Sequence, residues 1–243
     1  MTSPDETTFD LTVMISGGFA LAYASVLPDF ERETGLRVRT LSGASQGQGP
    51  RTIRHQIAQQ GARVDVVILS NEGLHDLAQE VRILDGSAAE LATAPLAAAV
   101  RAGAPHPEIG TVAALARTLG QARLVVMPGS TSGLFIQDNV FPRLGIAGTV
   151  RAKVFSRGTE SAAALAAGEA DLALGPVSEL VDVLGIEVVG ALPDAVQLVQ
   201  TFTAAVLADA RTLEPARRLI AHLVSDRAAA AIRRTGMEPV ARG

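Results

Sequence analysis

Short β-branched runs alternate with segments of helical period along nearly the whole chain, and that alternation requires a largely parallel sheet with crossover helices. Leu11 to Ile15, Leu36 to Leu41, Val64 to Leu69, Leu124 to Met127, Lys153 to Ser156 and Asp171 to Leu174 read as strands. Phe19 to Glu33, Arg51 to Gln60, Gly73 to Glu80, Leu115 to Leu119, Leu134 to Leu144, Glu160 to Ala167, Pro215 to Val224 and Arg227 to Thr235 read as helices. Pro28 should kink or restart the first helix, because proline removes a backbone donor and crowds the preceding turn. Aromatic residues make up only 3% of the chain, so its core must be built from Ala, Val, Leu and Ile, as where strands are buried under helices on both faces.

Two extended crossings, near residues 95–101 and 197–207, are expected to form a two-strand hinge. Residues 1–94 with 206–243 then make one lobe and residues 95–205 the other, each a mixed, mostly parallel sheet flanked by helices. Open α/β sheets place ligands outside the carboxyl ends of their strands, so the cleft between lobes is where a ligand belongs.

Several chemistries are disfavoured. There is no cysteine, so disulfides, thiolate metal sites and a cysteine nucleophile are ruled out. The four histidines, His55, His75, His106 and His222, have no i, i+4 pairing, and no metal is expected. Neither a phosphate-binding G-x-x-x-x-G-K-[ST] loop nor a G-x-G-x-x-G helix start is present, so no cofactor is expected. A net charge of −4 and the absence of tryptophan argue against a nucleic-acid partner. The longest apolar stretch, around Leu91 to Val100, is too short for membrane insertion, and we expect a monomer. Met1 to Asp10 has no cationic flank before an apolar core; this predicts a cytoplasmic location, or a periplasmic one if a native signal was removed.

Four strand-to-helix junctions concentrate small hydroxyls and glycines where helix N–H groups face outward: Ser16-Gly17-Gly18, Ser42 to Gly47, Gly129 to Gly133 and Ser156 to Glu160. Such junctions suit an oxyanion, although Ser, Thr and Gly are also ordinary turn and cap residues. The candidate ligand-binding residues are Ser16, Gly17, Gly18, Ser45, Gln46, Arg51, Ser130, Thr131, Ser132, Thr159 and Ser178. Gly43-Ala-Ser-Gln-Gly47 also fits the G-x-S-x-G elbow of α/β-hydrolases with His222 downstream, but only two strands precede it and the loop runs on through Pro50 before any helix.

Ser16-Gly-Gly-Phe-Ala20, Leu27-Pro-Asp-Phe-Glu-Arg-Glu-Thr-Gly35, Asp65-Val-Val-Ile68, Pro128-Gly-Ser-Thr-Ser-Gly133 and Ala167-Gly-Glu-Ala-Asp-Leu172 resemble the corresponding segments of molybdate-type extracellular solute-binding proteins. The resemblance covers nearly the whole chain and implies a two-lobed, type II periplasmic-binding-protein-like fold. With Ser16 to Ala20, Phe141-Pro-Arg-Leu-Gly-Ile146 and Val177-Ser-Glu-Leu180 resemble a branch of that superfamily that includes aconitate isomerase. That branch implies a small anionic ligand, a polycarboxylate, isomerised by proton transfer. Allylic isomerisation needs a base, for which Glu160, at a helix start beside Thr159, comes first and His55 second. The alternatives are a substrate-binding protein of an ABC transporter for an oxyanion or organic acid, and a cytoplasmic ligand-binding sensor.

Overall fold

The computed structural model describes residues 9–59 and 61–240. Residues 1–8, which carry most of the stretch on which the expected location rests, and Gln60 lie outside the described residues.

The first half of the chain runs β1 (Leu11–Ile15), α1 (Gly17–Thr34), β2 (Val38–Ser42), α2 (Ile53–Ala58), β3 (Val66–Ser70), α3 (Asn71–Ala78) and the long β4 (Ala89–Arg101). It continues with α4 (Val112–Gln121), β5 (Val125–Pro128), α5 (Thr131–Phe135), a π-helical turn at Ile136–Val140 and α6 (Phe141–Arg143). Then follow β6 (Ala152–Phe155), α7 (Gly158–Ala166), β7 (Leu172–Pro176), a 3₁₀ turn at Val177–Glu179, β8 (Ile186–Ala191), β9 (Val199–Val206), α8 (Leu213–Leu223), α9 (Asp226–Arg234) and β10 (Glu238–Pro239).

The fold is mixed α/β, and its strands follow the path β2-β1-β3-β9-β4-β7-β5-β6, with β8 and β10 also paired to β4. Strands β1, β2 and β3 are mutually parallel, as are β5, β6 and β7. β4 changes partners along its length: Ala89 to Pro95 face β9, whereas Leu96 to Arg101 face β7 and β8. Apolar packing follows the same division. One core joins Leu11, Val13, Phe19, Phe30, Val66, Phe202 and Leu219, and a separate one joins Leu96, Leu115, Val125, Met127, Val140 and Leu174. Burying each of the larger side chains contributes about 1.5–3 kcal/mol, so two such cores give each half its own reason to fold. Tyr23, the one tyrosine, sits in the first core with its hydroxyl 3.2 Å from Thr40 Oγ1, and burial pushes its pKa up to about 12.

Three local features differ from the sequence reading. Helix α1 starts at Gly17 and runs unbroken through Pro28, because Ala24 and Pro28 lie on its exposed side, where water can satisfy the carbonyl that proline leaves free. The helix expected over 134–144 is split by the π-turn: the Phe141 N–H bonds to the Ile136 carbonyl, and Pro142 has no N–H to continue an α-ladder. Strand β8 was not expected at all; its Ile186-Glu-Val-Val-Gly-Ala191 run is short and glycine-bearing, and it is held by its pairing to β4 and by packing of Ile186 and Val188 near Leu165 and Ala173.

Candidate anion-binding cleft

The carboxyl ends of both parallel sets converge. Ser16 and Gly17 follow β1, Ser45 follows β2, Ser70 ends β3, Ser130 and Ser132 follow β5, Gly158 and Thr159 follow β6, and Ser178 and Glu179 follow β7. A small inner cavity of about 10 Å³ is lined by Ser16, Gly17, Gly18, Ser45, Ser130, Ser132, Pro176, Glu179, Gln200 and Phe202. That is room for about one water molecule. Outside it a cleft of about 420 Å³ opens, sharing Gly17, Ser130 and Glu179 and adding Arg157, Thr159, Ser178 and Asp182 among others.

Two side-chain contacts join the halves beside this cleft. Ser70 Oγ lies 2.8 Å from Thr131 Oγ1, both buried. Ser70 Oγ also accepts the Gly73 N–H as the cap of α3, so its own hydrogen is free to go to Thr131. At the rim Arg51 Nη1 pairs with Glu160 Oε1 at 3.2 Å, with both side chains well exposed.

Some junction hydroxyls are used up as helix caps: Thr52 caps α2 by accepting the His55 N–H, and Thr111 caps α4 by accepting the Ala114 N–H. At the cavity, Ser16 precedes α1 and Ser130 precedes α5 without either side chain making a cap bond. Ser16 Oγ, Ser178 Oγ, Gln200 Oε1 and Glu179 Oε2 are buried with no hydrogen-bond partner. A buried polar atom left unpaired costs about 1–3 kcal/mol, and three of them at the inner cavity with a fourth, on Ser178, at the adjoining cleft describe a site built for a polar guest.

Glu179 is the chemically distinctive member. The residue keeps partial exposure along one edge, yet its Oε2 is out of solvent, and burial pushes its pKa up to about 7. Its carboxyl group lies between the first turns of α1 and α7. A Cβ on Gly17 would sit 2.4 Å from Oε1, and one on Gly158 would sit 2.0 Å from Oε2. A side chain at either place would push the carboxyl group out of this position.

The other sequence candidates are distributed as follows. Ser16, Gly17, Gly18, Ser45, Ser130 and Ser132 are together at the inner cavity, where Ser45 Oγ accepts the Ser70 N–H at 3.1 Å and Gly18 packs on the Phe202 ring. Thr159 and Ser178 line the outer cleft. Thr131 is turned to Ser70, and Gln46 Nε2 donates to Asp76 Oδ2 at 2.6 Å. Arg51, Glu160 and His55 line neither cavity: the first two form the rim pair, and His55 lies within α2. His222 packs on Phe30, ring centroids 5.6 Å apart, while Ser45 hydrogen-bonds Ser70 N–H, so the two form no hydrolase pair. Glu179 was not singled out from the sequence, although it is the third residue of Val177-Ser-Glu-Leu180, one of the segments that carried the resemblance. No group of three or more metal-ligating His, Cys, Asp or Glu side chains occurs among the described residues. No helix among them is long and apolar enough to cross a membrane.

Comparison with known proteins agrees with this geometry. The sequence profile of the family described as bacterial extracellular solute-binding protein matches residues 11–238. An aconitate isomerase from a Pseudomonas species is 33% identical over 231 residues, covering 95% of this chain and 88% of that protein. Among solved structures, the periplasmic molybdate-binding protein of Azotobacter vinelandii superposes with a TM-score of 0.74 at 18% identity, covering 96% of this chain and 100% of that one. The sulfate-binding protein of Mycobacterium tuberculosis H37Rv superposes with a TM-score of 0.75 at 19% identity, covering 96% and 88%. These two likenesses confirm the two-lobed fold.

Proposed function

The chain belongs to the bacterial extracellular solute-binding protein family, whose members bind small ligands between two lobes, and from that premise we propose that it binds an unsaturated di- or polycarboxylic acid and isomerises it by proton transfer. We place the division between lobes near residue 95, where β4 passes from β9 to β7 and β8, and just ahead of β9, which pairs with β3 and carries Phe202 into the first core. The observation that carries the enzymatic reading is Glu179, a buried carboxyl group with a pKa near 7 at the meeting point of the unpaired serine hydroxyls. A receptor uses only the protonated acid, as one more donor to an anion, whereas an isomerase also needs its ionised form as a base. A general base works best when its pKa lies near the operating pH.

In this reading the Glu179 carboxylate takes a proton from the carbon allylic to the substrate's double bond. The released electron pair shifts through that double bond into the conjugated carboxylate, where Ser16, Ser130 and nearby hydroxyls donate to the growing negative charge. The protonated Glu179 then returns the proton to the far carbon of the allyl unit. One C–H bond breaks, one forms, and the double bond moves by one carbon with no change of oxidation state. The 33% identical aconitate isomerase supports this class of reaction, and the likeness to molybdate- and sulfate-binding proteins supports the receptor alternative.

The deciding experiment is proton NMR of cis- and trans-aconitate and substituted fumarates incubated with the protein in deuterated water. Isomerisation, or deuterium entering an allylic position, is expected from the native protein and from Glu160→Gln, and is expected to be lost in Glu179→Gln. Tight binding with no exchange in any acid of the panel would overturn the enzymatic reading in favour of a receptor.

A further inference from the structure

The two compartments of the cleft differ in chemistry. The inner one sets hydroxyls, an amide and the Glu179 carboxyl against Pro176 and the Phe202 ring. The outer one is walled largely by carbon: Ala20, Leu21, Ala44, Pro128, Val181 and Val183. Leu21 stands 37% exposed on α1 with its side chain at this wall, a large apolar group left open where an empty surface would favour a polar one. Charge is sparse there. Arg157 is the one cationic residue lining the outer cleft among the described residues, against two acids, Glu179 and Asp182.

A tricarboxylate fits this balance poorly. One carboxylate can enter among the inner hydroxyls as the lobes part, and a second can meet Arg157. A third would find only neutral hydroxyls, those of Ser42, Ser156 and Thr159, beside Asp182 and the aliphatic wall, with no second cation to pair it, and a buried charge without a counter-ion is costly. An alkyl group in the same place would gain from leaving water.

Resting on the proposal that the ligand is a small unsaturated acid, we infer that the cleft takes one with no more than two carboxylates and an apolar segment. It lies carboxylate-inward, with its hydrocarbon part on Leu21, Val181 and Val183. The backbone beside that wall is itself unusual: Asp182 is the one non-glycine residue with positive φ among the described residues, at 57°. It thereby turns the chain between the two valines.

A matched pair of probes isolates the point. trans-Aconitate is fumarate carrying a carboxymethyl group; 2-propylfumarate is its near-isostere with a propyl group instead; fumarate lacks both. By calorimetry on the purified protein, 2-propylfumarate is expected to bind roughly 15- to 60-fold tighter than trans-aconitate, the scale set by burying two or three carbon units. Leu21→Ser should remove most of that preference and leave fumarate affinity unchanged, with a melting temperature near the native value because Leu21 is not part of the core. If trans-aconitate binds as tightly as 2-propylfumarate or tighter, this inference fails while the proposed function stands. A preference that survives Leu21→Ser overturns the assignment of the wall. If none of the three acids binds at millimolar concentration, both this inference and the proposed function fall.

Discussion

Asp65 and Glu179 are two acids removed from solvent at opposite ends of parallel strands, and the protein treats them in opposite ways. Asp65, just ahead of β3, is 3% exposed and fully engaged: Oδ2 accepts the Thr12 N–H at 2.7 Å and Oδ1 accepts the Arg211 N–H at 2.8 Å. It ties β1, β3 and the segment leading to α8 together at the amino end of the sheet. Glu179, just past the carboxyl end of β7, has an Oε2 with no partner. A satisfied buried carboxylate serves the fold; an unsatisfied one, ringed by unpaired hydroxyls, is kept at some cost to stability and is therefore where function is to be sought.

The sharpest way to break this contrast is to neutralise Glu179. Glu179→Gln keeps the shape of the side chain and removes the proposed base. Turnover of a responsive acid is expected to fall by about 10²- to 10⁴-fold, the usual contribution of a positioned general base. Affinity measured by calorimetry should change by no more than a few-fold. A variant that keeps its rate would assign Glu179 to the architecture, like Asp65.

The second difference is in proton linkage. The folded pKa of Glu179, about 7, lies above the 4.5 of a solvated glutamate, so between those values the native state holds a proton that the unfolded chain has released. Its stabilising contribution is complete below pH 4.5 and is lost as pH rises through 7, a decline on the order of 3 kcal/mol. Denaturant unfolding followed from pH 4.5 to 8 should show this decline in the native protein, and Glu179→Gln should flatten it. The base is charged only above its folded pKa, so activity should rise over the range in which stability falls.

Asp65 should behave in the reverse sense, with stability affected and chemistry spared. Asp65→Asn supplies one acceptor oxygen where two backbone N–H groups need two, leaving a buried donor unpaired at a cost of about 1–3 kcal/mol. The melting temperature should drop by several degrees, with kcat unchanged. A loss of kcat at full occupancy would show that the amino end of the sheet reaches the chemistry after all.

The contrast also explains what the sequence could tell. The alternation of Leu11 to Ile15, Val64 to Leu69 and Leu124 to Met127 with helical segments was legible because buried parallel strands need continuous apolar runs. The junction serines were legible as a class, since a hydroxyl after a strand is visible in one dimension. What each does was not: Ser45 accepts the Ser70 N–H while Ser16 is left facing a cavity without a partner, and that depends on contacts between distant segments. Glu179 was hidden for the same reason. Its distinction comes from Gly17 and Gly158, which lie 162 and 21 residues away in the chain, and no local pattern marks an acid that two glycines will enclose. Glu160 looked the better base because it occupies a helix start, and a helix start is also where an exposed acid is favoured for the sake of the dipole alone.

That leaves the smallest effect, at the Arg51–Glu160 pair. The two side chains meet across the mouth of the cleft at 3.2 Å, yet they are 63% and 40% exposed, so water and salt screen their attraction and ordering two long side chains opposes it. Such a pair is worth under about 1 kcal/mol. Arg51→Ala and Glu160→Gln should each shift the melting temperature by no more than a degree or two. If the pair acts only as a rim latch, each substitution should change ligand affinity by less than about fivefold, in step with its weak bias toward the closed arrangement. The two substitutions should also be non-additive, because either one removes the same contact. Raising the salt concentration should reproduce their effect in the native protein and do nothing further in the double variant. A loss of turnover in Glu160→Gln of the size expected for Glu179→Gln would transfer the base to the rim, and the contrast between the engaged acid and the free one would no longer locate the chemistry.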